Sequence, residues 1–397
     1  MPKVDFQLYE GGREQAYVKH CLLEDYLAQL TYKVGYAWDS IVYIDGFAGP
    51  WGTKDREFAD ASFGIAVRVL KNAVQGLLEK RGKVITALCI FVEKKPDAFI
   101  KLDAFAKSVS TETVRAVALK GRFIEKLREI KQLATSAGDN PFKFVFLDQK
   151  GWAAAPISEL RPFVKERSCE VLFNLMTSFL TRFVDTETRA DSYLKLFGRP
   201  GVLEEIRKLP KGTGEREEAA VREYCKSLRE ICGFRYVSEA VILDPKKEQV
   251  RYYLIFATNH PKGISVFKNA ELRAARLQDT VRHDAHVKKT GQDFLDFGDS
   301  TFPSSLALTL RSRYVRKARQ KIAFLLKRAG TREIPYERLF CDAMSFALVS
   351  PDDLITWLEQ WQPDVKLKLS GSGKRKKPSP DEEDFVAITN PAVFDHI

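Results

Sequence analysis

The chain has 397 residues, 45% of them apolar, enough for two or three globular cores. No stretch approaches the roughly 20 uninterrupted apolar residues of a membrane helix, and Met1-Pro2-Lys3-Val4-Asp5 lacks the basic-then-apolar pattern of an export signal. The net charge is +11, with 16 basic against 7 acidic residues between positions 302 and 380. So concentrated an excess points to a polyanionic partner, nucleic acid first, ahead of a merely solvated basic surface.

Residues 17–30 place Val18, Leu22, Leu23, Tyr26, Leu27 and Leu30 at helical spacing. Ser40-Ile41-Val42-Tyr43-Ile44-Asp45 is a short apolar run ending in an acid, and residues 64–70 open a second helix. Residues 84–93 form another apolar run, closed by Glu93; residues 96–107 read as helix; residues 142–147 and 170–175 are two further runs. Unalternated apolar runs separated by helical segments are the pattern of parallel strands covered on both faces, so the predicted class is α/β. Residues 184–230 read as a charged helical excursion. Residues 234–243 and 250–258 then read as two strands joined by Asp244-Pro245-Lys246-Lys247-Glu248, a hairpin that ends the sheet.

Residues 264–286 are predicted helical and 287–305 a polar linker. Behind it, residues 306–380 read as a basic module: a long helix over 308–328, a second helix entered at Pro335, and a third over 354–361 with Ser350 as N-cap and Pro351 at its first position. A strand at 365–369 follows, then the basic loop Lys374-Arg375-Lys376-Lys377. Three helices, a strand and a basic loop predict a winged helix-turn-helix, with Lys374, Arg375, Lys376 and Lys377 contacting phosphates. The tail, 381–397, reads as acidic and loose.

The segment most informative about chemistry is Tyr43-Ile44-Asp45-Gly46-Phe47-Ala48-Gly49-Pro50-Trp51. Small residues after a first parallel strand let backbone approach a nucleotide-like ligand at the carboxyl edge of a sheet. Glu93, ending the next run, is placed to accept from ribose hydroxyls. Roughly 40 residues separate the turn from Glu93, against about 20 in the dinucleotide fingerprint, which counts against a nicotinamide or flavin enzyme. Asp45 and Glu93 also fit a plainer role as helix caps or surface ion-pair partners. Asp148, followed by Gln149, Lys150, Gly151 and Trp152, ends the fourth-position strand; Trp152 either stacks on a base or fills a strand-end turn. None of the six cysteines shows C-x-x-C spacing, and His283 and His286 lack a third partner, so a reduced cytoplasmic protein without a metal site is expected.

Taken together, residues 43–51, 60–66, 91–94, 146–152, 170–183 and 253–258 resemble the three-Cys-motif partner family (TcmP). The resemblance spans most of residues 1–285. It implies a Rossmann-like sheet of the class I S-adenosylmethionine-dependent methyltransferases, ending in the antiparallel hairpin, with S-adenosylmethionine as cofactor. Asp45, Gly46, Phe47, Ala48 and Gly49 would surround its methionine part and Glu93 would hold its ribose, while Asp148 and Gln149 would face the acceptor. It also implies a three-cysteine, radical-S-adenosylmethionine-like protein as partner. The family segment usually reads Asp-Pro-Lys-Gly-Trp, and Gln149 stands here in place of the proline. That departure leaves two readings open: a methyltransferase acting on nucleic acid, or a non-catalytic nucleic-acid-binding adaptor that keeps the fold.

Overall fold

The computed structural model describes residues 4–50, 52–149, 155–165, 168–186, 189–290, 305–371 and 375–394. Two compact units emerge, one of Met1–Val237 with Ile242–Asn259 and one of Ser238–Val241 with His260–Ile397.

The first unit opens with α1 (Glu14–Gly35), whose apolar face is that predicted at 17–30. It then alternates β1 (Ser40–Asp45), α2 (Ser62–Arg81), β2 (Thr86–Glu93), α3 (Pro96–Val109), β3 (Val114–Lys120), α4 (Phe123–Thr135), β4 (Phe142–Leu147), α5 (Ile157–Val164) and β5 (Cys169–Leu175). Helix α6 (Thr177–Phe183) precedes the helical excursion expected at 184–230, which is formed by α7 (Ala190–Phe197), α8 (Val202–Arg207) and α9 (Glu215–Glu230). The strands β6 (Tyr236–Leu243) and β7 (Val250–Thr258) follow.

The sheet has seven strands in the order β3-β2-β1-β4-β5-β7-β6. Strands β1 to β5 pair with one another in parallel, and β7 runs antiparallel to β5. The architecture is α/β and Rossmann-like. Every residue of β1, β4 and β5 is buried, which is why these runs lack alternation. Strand β3, absent from the sequence reading, is an edge strand with Arg115 and Lys120 exposed; charges that protect a sheet edge also break the apolar run that would announce it.

Across the middle of the sheet the Tyr26 ring lies 5.3 Å from Phe144 and 5.1 Å from Phe256. Its hydroxyl donates to Glu170, which also accepts from Thr258 Oγ1 at 2.7 Å. Burial pushes the Glu170 carboxyl up to about 7. These are structural bonds within the core.

In the second unit α10 (Pro261–Thr290) is followed by α11 (Ser305–Ala329), β8 (Ile334–Pro335), α12 (Tyr336–Ala343), α13 (Pro351–Gln360), β9 (Val365–Lys368) and β10 (Phe385–Ile388). Helix α10 groups with this unit, although the sequence reading assigned 264–286 to the sheet domain. It also extends into the expected linker; the rest of that linker, 291–304, lies outside the described residues. Ser350 caps α13 through a reciprocal capping box with Asp353, as its sequence predicts.

The tail reading is corrected. Residues 385–388 are not loose: β10 pairs antiparallel with both β9 and β8. Its alternating burial of Val386 and Ile388 is an apolar signal that the acidic run Asp381–Asp384 conceals. Within the same unit, Lys268 and Glu271 form a fully buried ion pair at 2.5 Å. Lys268 donates to Phe346 O at 2.6 Å and Glu271 accepts from Leu348 N at 2.7 Å, fastening the segment between α12 and α13 to α10. Among the described residues, no helix is long and apolar enough to cross a membrane.

Candidate functional site

The sheet order reverses at β1, whose neighbours are β2 on one side and β4 on the other. Connections leave in opposite directions there and open a crevice at the carboxyl edge, the usual ligand position of such sheets. A cavity of about 720 Å³ lies there, walled by the turns after β1 to β5, the start of β7 and the first turns of α1.

Its floor is the turn after β1. Gly46 N–H donates to Phe146 O, and Ala48 N–H to Val92 O, both at 3.0 Å. Asp45 is fully buried and accepts from Phe47 N–H at 3.1 Å and from Ser62 Oγ at 2.6 Å. The Asp45 carboxyl therefore shapes the turn from behind, while Gly46, Phe47 and Gly49 line the cavity. Burial pushes this carboxyl up to about 7, against the pull of Ser62 and the Phe47 N–H. A Cβ at position 46 would stand 2.7 Å from Leu147 Cδ2 and 2.9 Å from Phe123, so glycine is needed for close approach. Gly64 is needed in the same sense, since a Cβ there would meet Phe58 O at 2.1 Å.

Glu93 lines the cavity from the end of β2, and one of its carboxylate oxygens accepts from Lys95 N–H at 2.7 Å. Asp148, after β4, is held from two sides. Lys19 of α1 forms an ion pair with one carboxylate oxygen, and Asn174 of β5 donates to the other at 2.6 Å. Burial would raise this carboxyl, but the Lys19 ammonium and the Asn174 amide keep it below the ordinary carboxylate value. Asp148 is thus an ionised acceptor with both oxygens engaged, not a base poised near neutrality. Gln149 is buried and also lines the cavity. Lys150 to Trp152 and Trp51 lie outside the described residues.

Asn174 and Lys19 were not singled out in the sequence. Their signal was there: Lys19-His20 interrupts the apolar face of α1, and Asn174 interrupts an otherwise apolar strand, and buried polar residues in such places need partners. The Asn174 carbonyl oxygen is buried without a hydrogen bond among the described residues. His20 is bonded to the Tyr9 hydroxyl at 2.8 Å, and burial lowers it to about 3, so it is neutral at physiological pH. Arg13 binds Asp60 at 2.5 Å and Gly52 O at 2.6 Å, tying down the segment 52–60 beside the cavity. The cavity wall carries six cations (Arg13, Lys19, Lys94, Lys95, Arg122 and Arg251) and two acids, Glu93 and Asp148.

The four basic residues predicted to contact phosphates from the C-terminal loop are placed differently from one another. Lys374 lies outside the described residues, and Lys376 and Lys377 are exposed. Arg375 instead clamps Asp384 through two bonds at 2.7 and 2.9 Å and donates to Ser370 O. It holds the two ends of its own loop together, because a buried carboxylate at 384 requires a bidentate partner.

The chain matches no protein-family model and no curated protein.

Proposed function

We propose that this protein is an S-adenosylmethionine-dependent methyltransferase-like protein of the TcmP type that acts on nucleic acid alongside a three-cysteine radical-S-adenosylmethionine-like protein. The observation that carries the reading is the strand order β3-β2-β1-β4-β5-β7-β6, with an antiparallel β7 and a cavity over the β1/β4 switch point. A parallel sheet that ends in antiparallel strands is what the resemblance implies. Gly46 to Gly49 offer the close-approach turn, and Glu93 has a second carboxylate oxygen for a ribose hydroxyl. When bound, the cofactor would supply an electrophilic methyl group on a sulfonium.

The residues of the chain would do the positioning, which is most of the catalysis such a transfer needs. Asp148, fixed by Lys19 and Asn174, would orient the acceptor. The Asn174 carbonyl oxygen is suited to accept from an N–H of that acceptor. The surplus of cations on the cavity wall favours an acceptor carrying phosphates. In the second unit, the order α11-β8-α12-α13-β9-β10, with a long β9–β10 connection, supports the winged-helix reading.

A second reading, a nucleic-acid-binding adaptor that retains the fold without catalysis, draws on one observation: both oxygens of Asp148 are already engaged.

Isothermal titration with S-adenosylmethionine and S-adenosylhomocysteine tests the proposal. Micromolar binding of both, weakened at least about tenfold in Glu93→Ala by loss of a charge-assisted bond, is the expected result. Wild-type protein that binds neither at millimolar concentration would overturn it. Binding without any methylated nucleic-acid product would favour the adaptor.

A further inference from the structure

Helix α11 contains no Asp or Glu in its 25 residues. Its inner face buries Leu310, Tyr314, Ala318, Ile322 and Leu326. On the opposite face, Arg316, Lys317, Lys321, Lys327 and Arg328 are exposed. In the middle of these cations stands Phe324, 56% exposed, where a soluble helix would ordinarily carry a polar residue. The cationic face continues past the helix end into a depression of about 360 Å³ walled by Arg328, Arg332 and Arg338. Its one acid, Glu333, is paired with Lys368.

Helix α13 has the opposite character. Counting from α11, where the predicted 306–380 module begins, it stands third among the helices, the place from which a winged helix would enter a duplex groove. Yet it carries Asp352, Asp353 and Glu359 and no Lys or Arg. A groove lined by phosphates repels such a helix.

We propose that the outer face of α11, with Phe324 at its centre and the Arg328–Arg332–Arg338 depression at its end, is a binding track for single-stranded RNA. Cations spaced along a ridge neutralise the backbone, and an exposed aromatic ring stacks on an unpaired base; this combination is the chemistry of single-strand binding. Unpaired bases are supplied chiefly by RNA loops and ends. From Arg316 to Arg328 the helix rises about 18 Å, the length of about five stacked nucleotides at about 3.4 Å each. A second copy of the chain is a poorer occupant, since a two-fold interface would set this cationic face against itself. The inference rests on the nucleic-acid half of the proposed function and is independent of methyl transfer.

The test uses the full chain and a fluorescent 20-nucleotide oligouridylate, followed by anisotropy from 50 to 300 mM salt. Oligothymidylate and a 20-base-pair DNA duplex serve as comparison probes. The track predicts preference for the single-stranded RNA over both, with a log–log salt slope of about −3 from four or five phosphate contacts. Arg316→Gln/Lys321→Gln is expected to weaken binding at least about tenfold and to make the slope shallower by about 1.4. Phe324→Ala is expected to weaken it by about tenfold with the slope unchanged, because stacking releases no counterions. All three side chains are exposed, so the variants should melt like wild type, and equal melting temperatures would verify it.

The proposal is overturned if the α11 variants bind as wild type does, or if Lys376→Gln/Lys377→Gln carries the loss instead. It is also overturned if the duplex or oligothymidylate is preferred, or if wild type binds none of the probes. Titrating the same α11 variants with S-adenosylmethionine separates the two proposals. Failure of cofactor binding with the RNA result intact removes the methyltransferase reading and leaves the track standing.

Discussion

Around the cavity of the first unit, Lys19, Arg13 and Asp45 turn their charges and dipoles toward partners within the protein: half-buried Asp148, buried Asp60 and half-buried Ser62. Along α11 of the second unit, Arg316, Lys321 and Arg328 turn theirs toward solvent. The same residue types therefore serve different ends. Inside, a charge fixes the geometry of a neighbour, and removing it leaves an unpaired group. Outside, a charge costs little to keep and contributes through the sum of its field, which selects a class of partner. Substitutions in the first unit should accordingly register in stability and its pH dependence, and those on α11 in salt-dependent affinity alone.

The largest expected effect is at Asp45. Its folded-state value of about 7 stands above the ordinary carboxylate value of 3.8. Between about pH 4 and pH 7 the folded chain keeps a proton that the unfolded chain has released. Stability from this group is full below about pH 4 and declines as pH rises, by about 4 kcal/mol at most. Asp45→Asn is neutral throughout and should gain on wild type by up to that amount between pH 4.5 and pH 7.5, as measured by urea unfolding. Glu170 has the same slope in both proteins and cancels in the difference. A gap that stays constant with pH would refute a protonatable Asp45.

Next comes the pair at the cavity mouth. Lys19→Met leaves Asp148 without its cation, and the Asp148 side chain is 23% exposed, so water compensates in part. The expected loss is about 2 to 3 kcal/mol, below the 3 to 5 of a fully enclosed pair. Lys19→Met/Asp148→Asn should recover more than half of it at pH 7. The Asp148 carboxyl lies below its ordinary value, so the pair contributes above about pH 4 and its contribution fades as pH falls through the folded value. A double variant costing the sum of the two single losses would mean that the pair is not coupled.

How much of this was legible in the sequence follows from the same contrast. The unalternated runs of β1, β2, β4 and β5 and the Asp45–Gly49 turn were readable because doubly buried parallel strands and close-approach glycines leave plain patterns. Edge strand β3 was not, because its exposed Arg115 and Lys120 imitate a loop. Glu93 is found on the cavity wall, where its strand-end position suggested; Asp45 was read as a strand-end acid beside the methionine part of a cofactor, but it lies buried behind the turn, bonded to Phe47 N–H and Ser62, and not on the cavity wall. Lys19 and Asn174 reach Asp148 from 129 and 26 residues away, and no local pattern encodes such distances. The basic surplus of the C-terminal region was visible as composition. That α11 carries it on one face, and that Arg375 is engaged by Asp384, required the structure.

The smallest effect tests the boundary between the two uses of charge. Asp384 is buried in the second unit, within a stretch whose neighbours Asp381 to Glu383 are exposed. It accepts two bonds from Arg375 and one each from Ser370 N–H and Ser379 N–H, at 2.7 and 2.8 Å. Arg375 first, then these N–H groups, hold its carboxyl far below the ordinary range. Arg375→Lys cannot reproduce the bidentate geometry, so the amides of β9 and β10 should exchange roughly tenfold faster by hydrogen–deuterium exchange. Lysine keeps the positive charge, so oligouridylate affinity and its salt slope should stay as in wild type. If affinity falls instead while exchange is unchanged, Arg375 is a phosphate contact after all, and the basic loop, with Lys376 and Lys377, belongs to the binding surface together with α11.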